Sequence, residues 1–282
     1  MIKYVYPHLP SRKTYPFIRF AGSGLANSLF VYARALVFAE REGLELINPT
    51  WFSFDPVQWK LMAKDKRTYL GIFRDMGVTY IKKWRILTFG KRVEEDAYTG
   101  KNLDADYVRI YWMKTFDEIR NDCELVKRRI RESLLPGILE KVESFDFTDT
   151  IAVHVRMGDY GNNSLPVAYY KALIEQIHER NPQYRFLLFS DGKESELAEL
   201  LSIPYIEHVF FGSAIADIFG ISSTKALIGS HSTFTDWGGY LGQLPALLPK
   251  KPHYGSFLRD LNKEFIVETE NPTVPERFFS LI

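Results

Sequence analysis

Between Thr150 and Leu241 the chain alternates short apolar runs with helical patterns, and this alternation constrains the fold more than any other feature. Thr150–Arg156 (TIAVHVR), Tyr184–Phe189, Ile206–Phe211 and Lys225–Ile228 read as strands. Val167–Arg180, Glu194–Leu201 and Ala214–Thr224 read as helices, and another opens over Thr235–Leu241. Asn181-Pro182 stops the first of these helices, because proline has no N–H and biases the residue before it away from helix. Strands that alternate with helices predict a parallel, doubly wound sheet.

The first half carries a weaker version of the same pattern. An apolar segment, Pro16–Phe20, is followed by the turn Gly22-Ser23-Gly24. A helix is then predicted over Leu25–Glu42, with Leu29, Tyr32, Ala33, Leu36 and Ala39 on one face. Gly43 ends it, and Leu44–Ile47 reads as a strand. Residues 51–110 are aromatic, basic and poorly periodic. Asp117–Leu135 reads as a helix stopped by Pro136-Gly137. No internal repeat or low-complexity stretch occurs. The expected organisation is a first α/β domain over 1–147, a second over 148–258, and a tail, 259–282, that packs back on both.

Composition enters as a set of exclusions. Of 282 residues, 25% are charged and 46% hydrophobic, which excludes a disordered or collagen-like chain. The lone cysteine, Cys123, excludes an intrachain disulfide and a Cys₄ or Cys₂His₂ zinc site. The opening MIKYVYPHLPSRK has no apolar signal core, and no 18-residue apolar run follows, so a cytoplasmic protein is expected. The overall charge of +1 hides a net +7 over residues 1–145 and a net −6 over 146–282. The basic half suits peripheral contact with an anionic membrane, at the inner face of which this protein is expected to work. The basic run Lys127-Arg128-Arg129-Ile130-Arg131 has Glu124 and Glu132 beside it, so it reads as a solvated helix face and no nucleic-acid partner is expected.

Ligands of open α/β sheets bind at the carboxyl ends of the strands. Following the strands of the second half are Arg156-Met157-Gly158-Asp159-Tyr160, Ser190-Asp191-Gly192 and Gly229-Ser230-His231-Ser232-Thr233. A guanidinium such as Arg156 clamps phosphate through its planar fork. Ser232 and Thr233, near a helix N-terminus, can donate to another phosphate oxygen. Asp191 and Asp217 can accept from ribose hydroxyls or a base N–H. Taken singly, each is also an ordinary turn or cap residue.

These segments carry a family resemblance. His154-Val155-Arg156-Met157-Gly158-Asp159-Tyr160 resembles the H-x-R-R-x-D-Y motif of the α-1,2-fucosyltransferases. Ser190-Asp191 is similar to that family's F-S-D segment, and Ser232–Leu241 to its S-S-F-S-W-W-A-A-W-L segment. Gly22–Ala33 resembles its G-G-L-G-N-Q-M-F-Q-Y-A opening, and Tyr111–Arg120 its Y-F-Q-S-E-K-Y-F segment. The matches keep the family's order across residues 18–241. The resemblance implies two Rossmann-like domains facing across a cleft, the GT-B type. It implies a metal-independent, inverting transfer of L-fucose from GDP-fucose to a sugar hydroxyl, galactose O2 in the first instance, in glycan or surface polysaccharide synthesis. On that carry-over Arg156 binds the β-phosphate and stabilises the departing GDP, His154 can reach the nucleotide, Asp217 reads guanine, and Ser232 and Thr233 hold phosphate. Gly24, Asn27 and Asp236 fall on the acceptor side. No cofactor beyond the GDP-sugar donor is implied.

Three departures bear on the chemistry. The family's second arginine is Met157 here, and methionine cannot pair with phosphate. Ala26 and Ser28 replace a glycine and a glutamine. Asp236 replaces the first of two tryptophans. Inversion by single displacement needs a base for the acceptor hydroxyl, and the candidates are Asp159 and Asp236, with Asp55 remote. Trp51, Trp84 and Trp112 could stack on acceptor sugar rings. Other readings of the same residues are a non-catalytic nucleotide-sugar or glycan-binding protein, motivated by Met157, and a transferase of another nucleotide sugar. Gly22-x-Gly24-x-x-Asn27 approximates the G-x-G-x-x-G of NAD sites but lacks the third glycine, and Asn48 stands where the ribose acid is expected. Asp104-Ala105-Asp106 has the D-x-D form of divalent-metal transferases but needs further ligands.

Overall fold

The computed structural model describes residues 1–56, 68–111, 114–157, 164–250 and 254–282. These fall into two compact units. One is Met1–Lys114 with Asp122–Pro136, and the other is Thr115–Asn121 with Gly137–Ile282. The sequence expectation places a division at 147/148; the units meet along the chain at Pro136/Gly137. A short piece of the first half, Thr115–Asn121, goes with the second unit.

The second unit is built on a six-stranded sheet. With strands numbered along the chain, it contains β8 (Thr150–Val155), β9 (Arg185–Ser190), β10 (Ile206–His208), β11 (Ala226–Ile228), β12 (Ala246–Leu248) and β13 (Glu264–Ile266). The order is β10-β9-β8-β11-β12-β13 and every neighbouring pair is parallel. Counted from β8, this is the 3-2-1-4-5-6 order of dinucleotide-binding sheets. All six residues of β8 are buried, as expected of a central strand covered on both faces. That explains why TIAVHV reads as a near-continuous apolar run. The crossover helices of this unit include Val167–Arg180, Glu194–Leu201, Ala214–Ile221 and Thr233–Gly242. Their core faces contribute Tyr169, Leu173, Ile177, Leu197 and Leu200 to one continuous cluster with the strands.

The tail closes this unit. Its β13 pairs with β12, the Gln176 amide donates to Pro272 O (2.9 Å) and accepts from Val274 N (3.0 Å), and Arg180 pairs with Glu276. The aromatic residue Phe116 of the Thr115–Asn121 piece is wholly buried, with Trp237, Tyr240 and Phe257 at ring-centre distances of 5.3, 5.0 and 6.1 Å. Tyr240 Oη donates to Ile119 O (2.7 Å), and Phe116 N to Tyr254 O (2.7 Å). The continuous helix expected over Asp117–Leu135 is therefore two short 3₁₀ turns followed by a helix at Cys123–Glu132, because its start is pulled into the second unit's core.

The first unit holds a four-stranded parallel sheet, order β4-β1-β7-β6, made by β1 (Tyr4–Pro7), β4 (Glu45–Leu46), β6 (Arg92–Glu94) and β7 (Tyr107–Ile110). A small second sheet joins β2 (Ser11–Thr14), β3 (Arg19–Gly22) and β5 (Ser53–Phe54). The strand expected at Pro16–Phe20 is thus shifted to β3, and it pairs antiparallel with β2 instead of leading the parallel sheet. Helix α1 (Leu25–Glu42) has the predicted bounds and ends at Gly43, whose φ of 57° suits a residue without Cβ. Helix α2 (Tyr80–Phe89) lies in the stretch that showed no clear period.

Replacing Phe116 by alanine should cost about 3–5 kcal/mol of unfolding free energy, since its ring fills a closed aromatic cluster. Urea unfolding followed by circular dichroism checks this; a loss below about 1 kcal/mol would mean that the 115–121 piece is not part of that core.

Candidate functional site

The strand order of the second unit reverses beside β8. From β8 the chain winds outward through β9 and β10, then returns to β11 on the other side and winds outward through β12 and β13. The carboxyl ends of β8 and β11 therefore flank the switch point, where crossovers leave in opposite directions and open a crevice. His154 and Arg156 stand at the end of β8, and Ser230 to Thr235 follow β11.

His154 is buried and held there by hydroxyls. Its Nδ1 lies 2.6 Å from Thr235 Oγ1 and 3.1 Å from Ser230 Oγ, and Ser230 N donates to Thr235 Oγ1 (3.1 Å). Phe234 stacks on the imidazole at 4.9 Å. Gly229 makes this close approach possible: a Cβ there would sit 2.4 Å from Thr235 Cγ2. Burial, and next the neighbouring Arg156 charge, push the His154 pKa down to about 3. The ring is therefore neutral at any ordinary pH, with one N–H to offer.

Arg156 is about three-quarters buried and forms an ion pair with Asp191 at the end of β9. The Asp191 carboxylate also accepts from Met157 N (2.9 Å), so it orients both the guanidinium and the chain leaving β8. Ser190 supports the same corner: its Oγ donates to Val155 O (2.7 Å) and accepts from Gly192 N (3.0 Å). Asp191, expected to meet a ribose, is thus committed to Arg156 in this structure. Ser232 caps the helix Thr233–Gly242 by accepting from Phe234 N (3.2 Å); its hydroxyl proton remains a donor, beside Thr233 in the first turn.

The remaining candidates lie elsewhere. Asp217, in the first turn of the helix after β10, accepts from Phe211 N (2.8 Å), and burial raises its pKa to about 7. Asp236 is buried on the helix face shared by Gly239 and Gln243, which contact Phe257 and Arg259. Burial, and then the nearby Glu264 charge, hold its carboxyl well above the usual range. Its side chain is buried one position along the helix from Thr235, and burial favours its protonated form. Asp159 lies outside the described residues, as does Trp112. Gly24 caps α1 and Asn27 stands in its first turn, both in the first unit. Trp51 is buried against Phe73 at 3.7 Å, a core stack, whereas Trp84 is exposed.

Two competing signals find their structural explanation. The glycine turn before α1 follows a strand of the small mixed sheet, and Asn48 is engaged with Asp75 and Met76 N, so the context of an NAD fingerprint is missing. Asp104 pairs with Lys91 Nζ (2.6 Å) and Asp106 accepts from Lys91 N (2.7 Å). Among the described residues no cluster of His, Cys, Asp or Glu is arranged to hold a metal. Sequence reasoning does not single out Ser230, Phe234 and Thr235, which fix His154. The signal available is the hydroxyl-rich stretch after β11.

The chain has the fold of GT-B glycosyltransferases, with parallel α/β sheets in both units. Fucosyltransferase NodZ from Bradyrhizobium superposes with a TM-score of 0.52 at 15% identity, over 87% of this chain and 94% of that one. NodZ α-1,6-fucosyltransferase soaked with GDP-fucose gives 0.51 at 15% identity, over 87% and 94%. A mutant of Arabidopsis thaliana FUT1 in complex with GDP gives 0.52 at 11% identity, over 90% of this chain and 72% of that one. No family model and no curated relative matches the sequence.

The His154 shift predicts a specific pH dependence. Between about 3 and 6.5 the unfolded chain binds a proton that the folded chain refuses, so this residue's contribution to stability falls as pH drops through that window. Asp217, held protonated up to about 7, acts in the opposite sense. The difference in unfolding free energy between wild type and His154→Gln isolates the first effect. Measured by urea unfolding from pH 4 to pH 7, it should shift in favour of wild type as pH rises; a pH-independent difference would contradict a buried neutral imidazole.

Proposed function

We propose that the protein is an inverting glycosyltransferase that moves L-fucose from GDP-fucose to a sugar hydroxyl. The observation that carries this reading is the convergence of His154, Arg156 and the Ser232–Thr233 helix start on the switch point of a Rossmann-ordered sheet. The fold shared with NodZ, a fucosyltransferase soaked with GDP-fucose, supports the same donor.

In this reading the diphosphate lies along the carboxyl ends of β8 and β11. Arg156, preset by Asp191, meets the β-phosphate and stabilises the charge that grows on GDP as the glycosidic bond breaks. A fixed side-chain cation then supplies what a metal supplies elsewhere, consistent with a metal-independent transfer. The reading takes the tautomer in which Thr235, accepting from Ser230 N, donates its hydroxyl proton to His154 Nδ1 and the imidazole proton sits on Nε2. His154 is then a neutral hydrogen-bond donor to the nucleotide and cannot act as an acid. Thr233 and Ser232 complete the anion contacts at the helix N-terminus, and Asp217 reads the base. Asp159 is the candidate base for the acceptor hydroxyl. The finer expectation, galactose O2 as acceptor in glycan or surface polysaccharide synthesis, rests on the motif resemblance, and work at the inner face of a membrane rests on the basic charge of residues 1–145.

Met157 favours a second reading. Its side chain lies where a Cβ on Gly192 would approach to 3.0 Å, and it brings no charge to the phosphates. A protein with one arginine in place of two could bind a nucleotide sugar without turning it over.

Calorimetric titration with GDP, UDP and CMP, with and without EDTA, tests the donor. GDP should bind selectively and without regard to EDTA. Arg156→Ala should weaken it by about ten- to a hundredfold, the usual worth of a charge-assisted phosphate contact. Asp191→Asn should weaken it less. Metal-dependent UDP binding would contradict the reading. Release of GDP from GDP-fucose on adding glycan acceptors separates transferase from binding protein; saturable binding with no turnover on any acceptor would favour the latter.

A further inference from the structure

We propose that the outward face of α2 docks on an anionic lipid surface. The proposal rests on the first unit alone and stands whether or not the donor reading holds.

Ten residues make α2, and it shows solvent an unusual set of side chains. Ile81 is 80% exposed, Phe89 71% and Trp84 44%, with the Trp84 and Phe89 rings in edge contact at 5.4 Å. These three fall within one half of the helix circumference, with Arg85 between Ile81 and Phe89 and Lys82 at the edge. Lys83 lies on the opposite side of α2, buried, and donates to Thr50 Oγ1 (3.2 Å). From Tyr80 to Val93 the sequence holds no acid, and its exposed cations are Lys82, Arg85, Lys91 and Arg92.

Among the described residues, Asp75 hydrogen-bonds Tyr80 at the start of the helix, and other acids pair with its cations. Glu45 pairs with Lys82 (3.2 Å), and Asp104 pairs with Lys91 (2.6 Å). Arg92 lies 3.3 Å from Glu94. All three pairs are exposed, and such pairs contribute little to stability, so their cations can exchange a carboxylate for a lipid phosphate at small cost.

Aromatic and aliphatic tips interleaved with Lys and Arg are the composition of helices that lie in the headgroup plane of a bilayer. The charge decides between occupants. A second copy of the same face would bring like charges together, whereas anionic headgroups attract it, as does the net +7 of residues 1–145. The helix lies on the surface; no described helix is long and apolar enough to cross a membrane.

Co-sedimentation with vesicles tests this. At low salt the protein should pellet with an equimolar mixture of phosphatidylglycerol and phosphatidylcholine, and stay in solution with phosphatidylcholine alone. The triple variant Ile81→Ser, Trp84→Ser, Phe89→Ser should lower the partition by about tenfold or more, and Arg85→Glu with Arg92→Glu should abolish the preference for anionic lipid. Both variants should melt like wild type by circular dichroism. Wild type that ignores anionic vesicles, or folded variants that bind as wild type does, would overturn the proposal. So would a soluble dimer dissolved by the triple variant without vesicle binding, which would make the face a protein interface. Loss of GDP binding with vesicle binding intact would count against the donor reading only.

Discussion

The reversal of strand order between β8 and β11 is the constraint on which the rest of the site depends. Backbone geometry forces parallel strands to be joined by right-handed crossovers, so a sheet that grows in both directions from its centre must leave one gap in its helical cover. In this chain the reversal lies between the strand that carries His154 and the stretch that follows β11. The central strand is wholly buried, which fixes the register of TIAVHV against its neighbours and delivers His154 to the edge of the sheet with little freedom. The same burial makes the imidazole neutral. Chemistry at this edge is thus set by hydrophobic packing that contains no functional group itself.

Around that frame the polar groups are arranged in pairs of holder and held. Thr235 and Ser230 hold His154, and Gly229 lets Thr235 come near enough to do so. Asp191 holds Arg156 and the backbone of Met157. The half-buried Arg156–Asp191 pair adds little to stability by general experience of such pairs. Its physical consequence is orientation: a guanidinium that is preset loses less freedom when an anion arrives.

The second unit is legible in sequence because its signals are redundant. Val167–Arg180 and Glu194–Leu201 have the bounds that periodicity and the Asn181-Pro182 stop define, and every strand from β8 to β11 lies within a few residues of its expected place. The strands β12 and β13 escape a sequence reading because three residues carry no period of their own; pairing against an existing edge makes them strands. In the first half the leading strand of the parallel sheet is Tyr4–Pro7, too short to stand out, while the more apolar Pro16–Phe20 region supplies a small mixed sheet. The helix expected from Asp117 breaks because Phe116 and Ile119 are drawn into a core made by residues more than a hundred positions away, which no local pattern reports. The motif positions His154, Arg156 and Asp191 stand together at the strand ends where the sequence puts them, with Asp191 paired to Arg156. The burial of Asp236 is not legible in the sequence, since one position along the helix separates it from Thr235, which holds His154.

Everything proposed for the second unit turns on where a guanine nucleotide lies. The most direct measurement is a crystal structure of the protein grown with GDP. The diphosphate should lie at the carboxyl ends of β8 and β11, with Arg156 on the β-phosphate, His154 Nε2 within hydrogen-bond reach of the nucleotide, and no metal ion between them. GDP bound at any other edge of the fold, or a diphosphate held through a divalent cation with Arg156 still turned to Asp191, would contradict the donor site described above.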